Sequence, residues 1–301
     1  MHKIGIKLRI GLLMILFFLI SCSYEDNKSN KESVTVSQKS NEKTIEIHTM
    51  FEVAYYGKPE LIQRYLDHGH DINQGDKNSN ATPIYYAIQM NQVGIIKPLI
   101  EHGVKLEHKN SQGQTPLHVA VSLGREKIVD LLLKNGSNIE AQDNNGLTPL
   151  FYAIENKKDA LAKKLIEKGA SLKSNNVHNI TPLHSAVQQN NMALIKFILE
   201  KGVNINIQNR EGSSALHYAF LRKNSRIVKL LISKGINVNL QDKSGTAALH
   251  IGVLNNDLEI VKLLLKNGAD KSLKTNKGET ALDIATKSWR TDIKKVLDEE
   301  K

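Results

Sequence analysis

A four-residue phrase returns at a fixed interval through most of this 301-residue chain, and no other feature restricts its fold as much. Thr82-Pro83-Ile84-Tyr85, Thr115-Pro116-Leu117-His118, Thr148-Pro149-Leu150-Phe151, Thr181-Pro182-Leu183-His184, Ser214-Ala215-Leu216-His217, Ala247-Ala248-Leu249-His250 and Thr280-Ala281-Leu282-Asp283 follow one another every 33 residues. A constant period of that size means a stack of like units, in which each unit touches only its neighbours and one long face stays open. Glycines 103, 136, 169, 202, 235 and 268 keep the same interval, and Gly69 is one residue out of step, which places an extra residue in the loop 74–81. A first, degenerate unit begins near His48, which makes about eight units.

The phrase reads as the start of a helix. Thr is a strong N-cap, and Pro at the first helical position has its φ preset and lacks only an N–H that would go unpaired there. After a short break a second apolar stretch follows, such as Ile128-Val129-Asp130-Leu131-Leu132-Leu133, and the recurrent glycine ends it. Small alanines at 87, 120, 153, 186, 219 and 285 let the helices of a pair approach closely.

These residues resemble the ankyrin repeat family, whose Thr-Pro-Leu-His-x-Ala pattern has this period. The resemblance covers residues 46–301 and implies an all-α solenoid of helix-turn-helix units joined by β-hairpin loops. It also implies a protein-binding module that meets its partner on a concave face of hairpin tips and first helices. Departures are local: Ala247 replaces the capping Thr and Gly252 the small Ala in the seventh unit, which is expected to be the softest interior unit.

The N-terminus carries a second pattern. Lys3, Lys7 and Arg9 precede an apolar run from Ile10 to Ile20, too short to span a bilayer comfortably, and Ser21-Cys22 closes it where a cleavage site belongs. Leu19-Ile20-Ser21-Cys22 is similar to the lipobox of bacterial lipoproteins, which implies cleavage before Cys22 and its acylation. Residues 1–21 are then a signal peptide, 22–45 a lipidated N-terminus and disordered polar tether, and 46–301 the repeat domain. A flexible coil of this length holds its cargo on the order of 25 Å from the membrane. Cys22 is the only cysteine, so no disulfide is expected and the stacked core carries the stability alone.

The full chain bears a net charge of +10, and three of its 41 basic residues would leave with the leader. A basic balance invites a nucleic-acid reading, but the expected binding face sets Arg210, Arg222 and Lys243 against Glu155 and Glu211, and phosphate binding needs a basic stripe. His118, His184, His217 and His250 belong to the phrase and are expected to bond the hairpin backbone or the phrase hydroxyl; equivalent positions about 8 to 10 Å apart do not share a metal ion. His68, His70, His102 and His108 read as loop residues. No catalytic constellation and no cofactor motif are present, so neither enzyme activity, cofactor nor metal is expected.

The expected partner is a protein, bound by a monomer. Tyr86, Tyr152 and Tyr218 recur in alternate units one residue after the histidine position, and with Leu123, Leu147, Ile180 and Leu221 they are the candidate binding residues. The reading in which the rings only cover the hairpin base stays open. The overall expectation is an extracytoplasmic interaction module, in the periplasm or on the cell surface, held to a bacterial membrane through Cys22; a surface adhesin contacting a host protein is the variant of that reading.

Overall fold

A computed structural model describes residues 34–37 and 44–299. The leader, Cys22 and the tether as far as residue 33 lie outside the described residues. The chain divides into two units, residues 1–48 and 49–301.

In the first unit, strand β1 (Val34–Ser37) pairs antiparallel with β2 (Thr44–Ile47), with Val34 opposite Ile47 and Val36 opposite Ile45. Of the stretch 22–45 expected as a tether, only residues 34–37, 44 and 45 are among the described residues, and they are strand. Val-Thr-Val-Ser and Thr-Ile-Glu-Ile both alternate β-branched apolar with polar residues, the period-two pattern of a strand.

The second unit is the repeat array. Its first helix pair is α1 (Met50–Tyr56) and α2 (Ile62–Asp67), the latter entered through a 3-10 turn at Pro59–Leu61. Seven further pairs follow: α3 (Pro83–Gln89) with α4 (Val93–Glu101), α5 (Pro116–Ser122) with α6 (Glu126–Lys134), and α7 (Pro149–Glu155) with α8 (Asp159–Glu167). Then come α9 (Pro182–Gln188) with α10 (Met192–Glu200), α11 (Ala215–Leu221) with α12 (Ser225–Ser233), α13 (Ala248–Leu254) with α14 (Leu258–Lys266), and α15 (Ala281–Lys287) with α16 (Thr291–Glu299). Eight pairs among the described residues match the unit count read from the period.

Each first helix stops at a residue in the left-handed region: Gly57, Asn91, Gly124, Lys157, Asn190, Lys223, Asn256 and Trp289 in turn. That reversal swings the second helix back against the first. The alanines at 87, 120, 153, 186, 219 and 285 are wholly buried between the helices, and second-helix side chains such as Ile128, Val129 and Leu132 supply the apolar core. Glycine is required at 113, in the hairpin before α5, for another reason. A Cβ there would lie 2.6 Å from the backbone nitrogen of Asn144 in the next hairpin, besides needing φ of +77°.

The hairpin loops are closed by two backbone bonds each, such as Asp143 N–H to Leu147 O at 3.0 Å and Gly146 N–H to Asp143 O at 3.1 Å, and stitched tip to tip by an unbroken backbone series. Ser111, Asn144, Val177, Arg210, Lys243 and Asn276 donate their N–H groups to Ser79, Gln112, Asn145, His178, Glu211 and Ser244 of the preceding tip.

Candidate functional site

The phrase histidines are structural, as their repetition suggested. His118 Nδ1 accepts from the Thr115 N–H at 3.1 Å and lies 2.9 Å from its hydroxyl, while Nε2 faces Leu147 O of the next hairpin at 3.0 Å. A carbonyl at Nε2 and a backbone N–H at Nδ1 demand the neutral Nε2–H tautomer. His217 and His250 make the same link to Thr246 O and Leu273 O. His184 keeps its bond to Thr181, but its buried Nε2 has no partner.

This geometry changes the expected role of the phrase threonine. Only Thr49 and Thr280, whose units carry Glu52 and Asp283 three residues on, use their hydroxyls to accept a backbone N–H in a reciprocal capping box. At Thr115, Thr181 and Ser214 the hydroxyl turns to the imidazole instead. Ala247 therefore forfeits a bond to His250 rather than a helix cap.

The three candidate tyrosines pack on the phrase position of the preceding unit: Tyr86 on Phe51, Tyr152 on His118 and Tyr218 on His184, with ring centroids 5.2 to 5.3 Å apart. Tyr152 is buried, donates its hydroxyl to Asp143 Oδ2 at 2.8 Å and accepts from Gln114 Nε2 at 2.7 Å. Burial raises its pKa above the ordinary phenol value. Tyr152 is thus a rivet between two hairpins and a helix, whereas Tyr86 and Tyr218 are half-buried and keep a solvent-facing edge. Leu147 and Ile180 are half-buried at hairpin bases, and Leu123 and Leu221 are exposed. Beside Tyr152 stands Glu155, half-buried, its carboxyl pushed up to about 6 by burial and by the charge of Asp143.

Met90, Val177, Leu254 and Trp289 are also large, apolar and exposed; the first three fall at positions the sequence assigns to the binding face without being singled out as anchors, and Trp289 was missed. For Trp289 the signal was present, since the period aligns it with Gly124, Asn190 and Asn256 at a left-handed turn. A polar-lined cleft of about 320 Å³ opens between the sixth and seventh units, with Phe220 and Ile260 among its walls and Lys223 and Asp257 at its edge.

The charged tips offset one another, Glu211 approaching Lys243 at 3.7 Å. Three of the loop histidines bond carbonyls: His68 to Arg64 O, His102 to Pro98 O and His108 to Asn80 O. Among the described residues no three His, Cys, Asp or Glu side chains form a metal-holding group, and no helix is long and apolar enough to cross a membrane.

The family model for ankyrin repeats matches residues 50–143, 128–209, 183–275 and 216–300 in overlapping stretches. The solved ankyrin repeat domain of Bcl-3, described as a unique member of the IkappaB protein family, shares 30% identity. It superposes with a TM-score of 0.63 over 71% of this chain and 97% of that one. The phosphate system positive regulatory protein PHO81 of Saccharomyces cerevisiae is 29% identical over 92 residues, 29% of this chain and 8% of that relative, so the chain spans a small part of its length. The chain belongs to the ankyrin repeat family, a class of protein–protein interaction modules that generally serve as non-enzymatic scaffolds.

Proposed function

We propose that this protein is a membrane-tethered, extracytoplasmic bacterial lipoprotein whose array binds another protein as a scaffold, receptor or chaperone-like partner. The observation that carries the binding reading is a face formed by first helices and hairpins on which the half-buried Tyr86 and Tyr218 and the exposed Leu123 lie among Asn and Gln side chains. Apolar anchors ringed by neutral hydrogen-bonding groups suit a protein or peptide and give a polyanion little to hold. Tyr152 supports that face from beneath, positioning the hairpin that carries Leu147. The tether reading rests on Leu19-Ile20-Ser21-Cys22 behind a charged apolar leader.

Two experiments test the two halves. Capture on the immobilised array, followed by mass spectrometry, should return a partner that Leu123→Ser with Tyr218→Ala loses by at least about 2 kcal/mol, the scale of a hot spot. Retained capture by that double variant defeats the binding face. Cys22→Ser should abolish fatty-acid labelling and release the protein from membranes, and continued labelling defeats the anchor.

A further inference from the structure

The open apolar side chains of the array gather at one edge. Among the described residues, five of the six large apolar residues that are exposed, Met90, Leu123, Leu221, Leu254 and Trp289, stand on the last residue of a first helix or in the two residues after it; Val177 is elsewhere, on a hairpin. In the last three units they project fully, Leu221 at 76%, Leu254 at 55% and Trp289 at 88% exposure.

Trp289 is the sharpest of these. It is the chain's one tryptophan, and its φ is +57°, at the turn position where other units place Gly, Asn or Lys. A bulky residue in the left-handed region is strained, and at this exposure the ring returns no packing to the fold. Neither backbone nor core accounts for it, so its use lies outside the array. The turn residues around it, 221–225, 254–258 and 287–291, contain Arg222, Lys223, Lys287 and Arg290 against the single acid Asp257. Asp257 is occupied in capping the Ile260 N–H and accepting from Ser225, and Lys287 pairs with Glu279. One residue beyond, Arg226, Glu259 and Asp292 are the second residues of the second helices.

We propose that the turn edge of units six to eight is a peripheral membrane-docking surface, in which Trp289, Leu254 and Leu221 enter the headgroup region of an anionic bilayer and Lys223 with Arg222 meets its phosphates. Leu254 and Lys223 line the cleft between units six and seven, while Leu221 and Trp289, the two most exposed, are not among its lining residues, and side chains that project in this way suit a soft, flat phase that closes around them. Leu221 and Leu254 share one register position in successive units, about 8 to 10 Å apart, and Trp289 lies two residues further along the turn of the next unit. Tryptophan is the residue most at home at that depth, and basic neighbours add attraction to anionic lipid. The inference does not depend on the lipid anchor at Cys22, and it assigns Leu221, a candidate partner-binding residue by sequence, to the bilayer instead.

The test uses residues 49–301, a compact unit with its own continuous core. Mixed with phosphatidylcholine vesicles containing phosphatidylglycerol, this array should co-sediment, and the emission of Trp289 should shift to the blue because no other tryptophan contributes. Leu221→Ser with Leu254→Ser, both exposed and harmless to folding by circular dichroism, should weaken the partition at least about tenfold, the scale of withdrawing two leucines from an apolar phase. Lys223→Glu should weaken it further, and vesicles of phosphatidylcholine alone should bind less. Unchanged Trp289 emission in anionic vesicles, equal binding to neutral ones, or binding indifferent to the serine variant each overturns the proposal. If vesicles leave the array untouched while Trp289→Ser loses a captured protein, the edge is a protein contact. That outcome leaves the groove and Cys22 readings standing, because neither enters the vesicle assay.

Discussion

His184 and Glu155 give the array two opposed responses to acid. Burial lowers the His184 pKa from 6.5 to about 4, so the folded array holds the ring neutral while the unfolded chain protonates it. Stability from His184 is therefore complete above pH 6.5 and is lost as pH falls toward 4, a change on the order of 3 kcal/mol. His118, also lowered by burial, adds in the same direction. Glu155 works the other way: its folded pKa of about 6 exceeds the free value of 4.5, so its contribution is complete below 4.5 and lost as pH rises through 6. The histidines outweigh it, and the melting temperature should fall between pH 6.5 and 4.5. Glu155→Gln should raise stability by about 1 kcal/mol at pH 7.5 and by much less at pH 4.5, read by thermal melts at both values; an equal gain at both disproves the raised pKa. Tyr152→Phe keeps the ring against His118 but strips Asp143 Oδ2 and Gln114 of a partner, and should cost about 1 to 3 kcal/mol in denaturant melts. A cost near zero would show that the hydroxyl is not part of the stack.

Helix α13 illustrates why a sequence defect and a structural weakness are different things. Gly252 and Ala247 both break the pattern in unit seven, and each suggested a loss of about 1 kcal/mol from helix propensity or capping. In the fold the hydroxyl at this position serves an imidazole, and Ala247 still gives its N–H to His250 at 3.0 Å, so no cap is missing. Gly252 is buried against α14, where an added Cβ would stand 3.3 Å from Val261 Cγ2 and 3.5 Å from Leu264 Cδ1. The propensity gain of Gly252→Ala, about 1 kcal/mol, is then offset by the close contact. Its melting temperature should stay within a few degrees of the parent. A rise of the full amount expected from propensity means that α14 yields without cost.

Along the whole array the weak joint falls in the middle. An outer series of side-chain acceptors, Asn73, Glu107, Glu140, Asn206 and Asn239, receives the N–H groups of Lys105, Asn138, Ser171, Asn237 and Asp270. Lys173 occupies the equivalent place after unit four and has no acceptor to offer. Phe151 replaces the phrase histidine in the same unit, and His184 in the next leaves Nε2 unpaired. Because solenoid stability is a sum of unit and nearest-neighbour terms, three missing links around units four and five lower the local barrier to opening. Hydrogen exchange should find the hairpin at 174–181 and helix α9 opening before their counterparts in units three and six. Lys173→Asn should restore the ladder and raise protection there by about 1 kcal/mol; a uniform exchange profile across the interior units would falsify the joint.

The period of 33 determined the family, the number of units and the place of every helix, because a repeat encodes one local structure many times and each copy checks the others. It also determined that the phrase histidines are structural. What the period does not carry is the difference between units. That Tyr152 is riveted and Tyr218 partly open depends on Asp143 and Gln114 reaching one hydroxyl from two neighbouring hairpins, a meeting of residues 9 and 38 positions away. The exposed row of Leu221, Leu254 and Trp289 likewise became a surface only when stacking brought the turns of successive units to one edge. Local sequence dictates the unit through capping, turn conformation and apolar spacing; which side chains remain free depends on how each unit is covered by the next, and that is a tertiary fact.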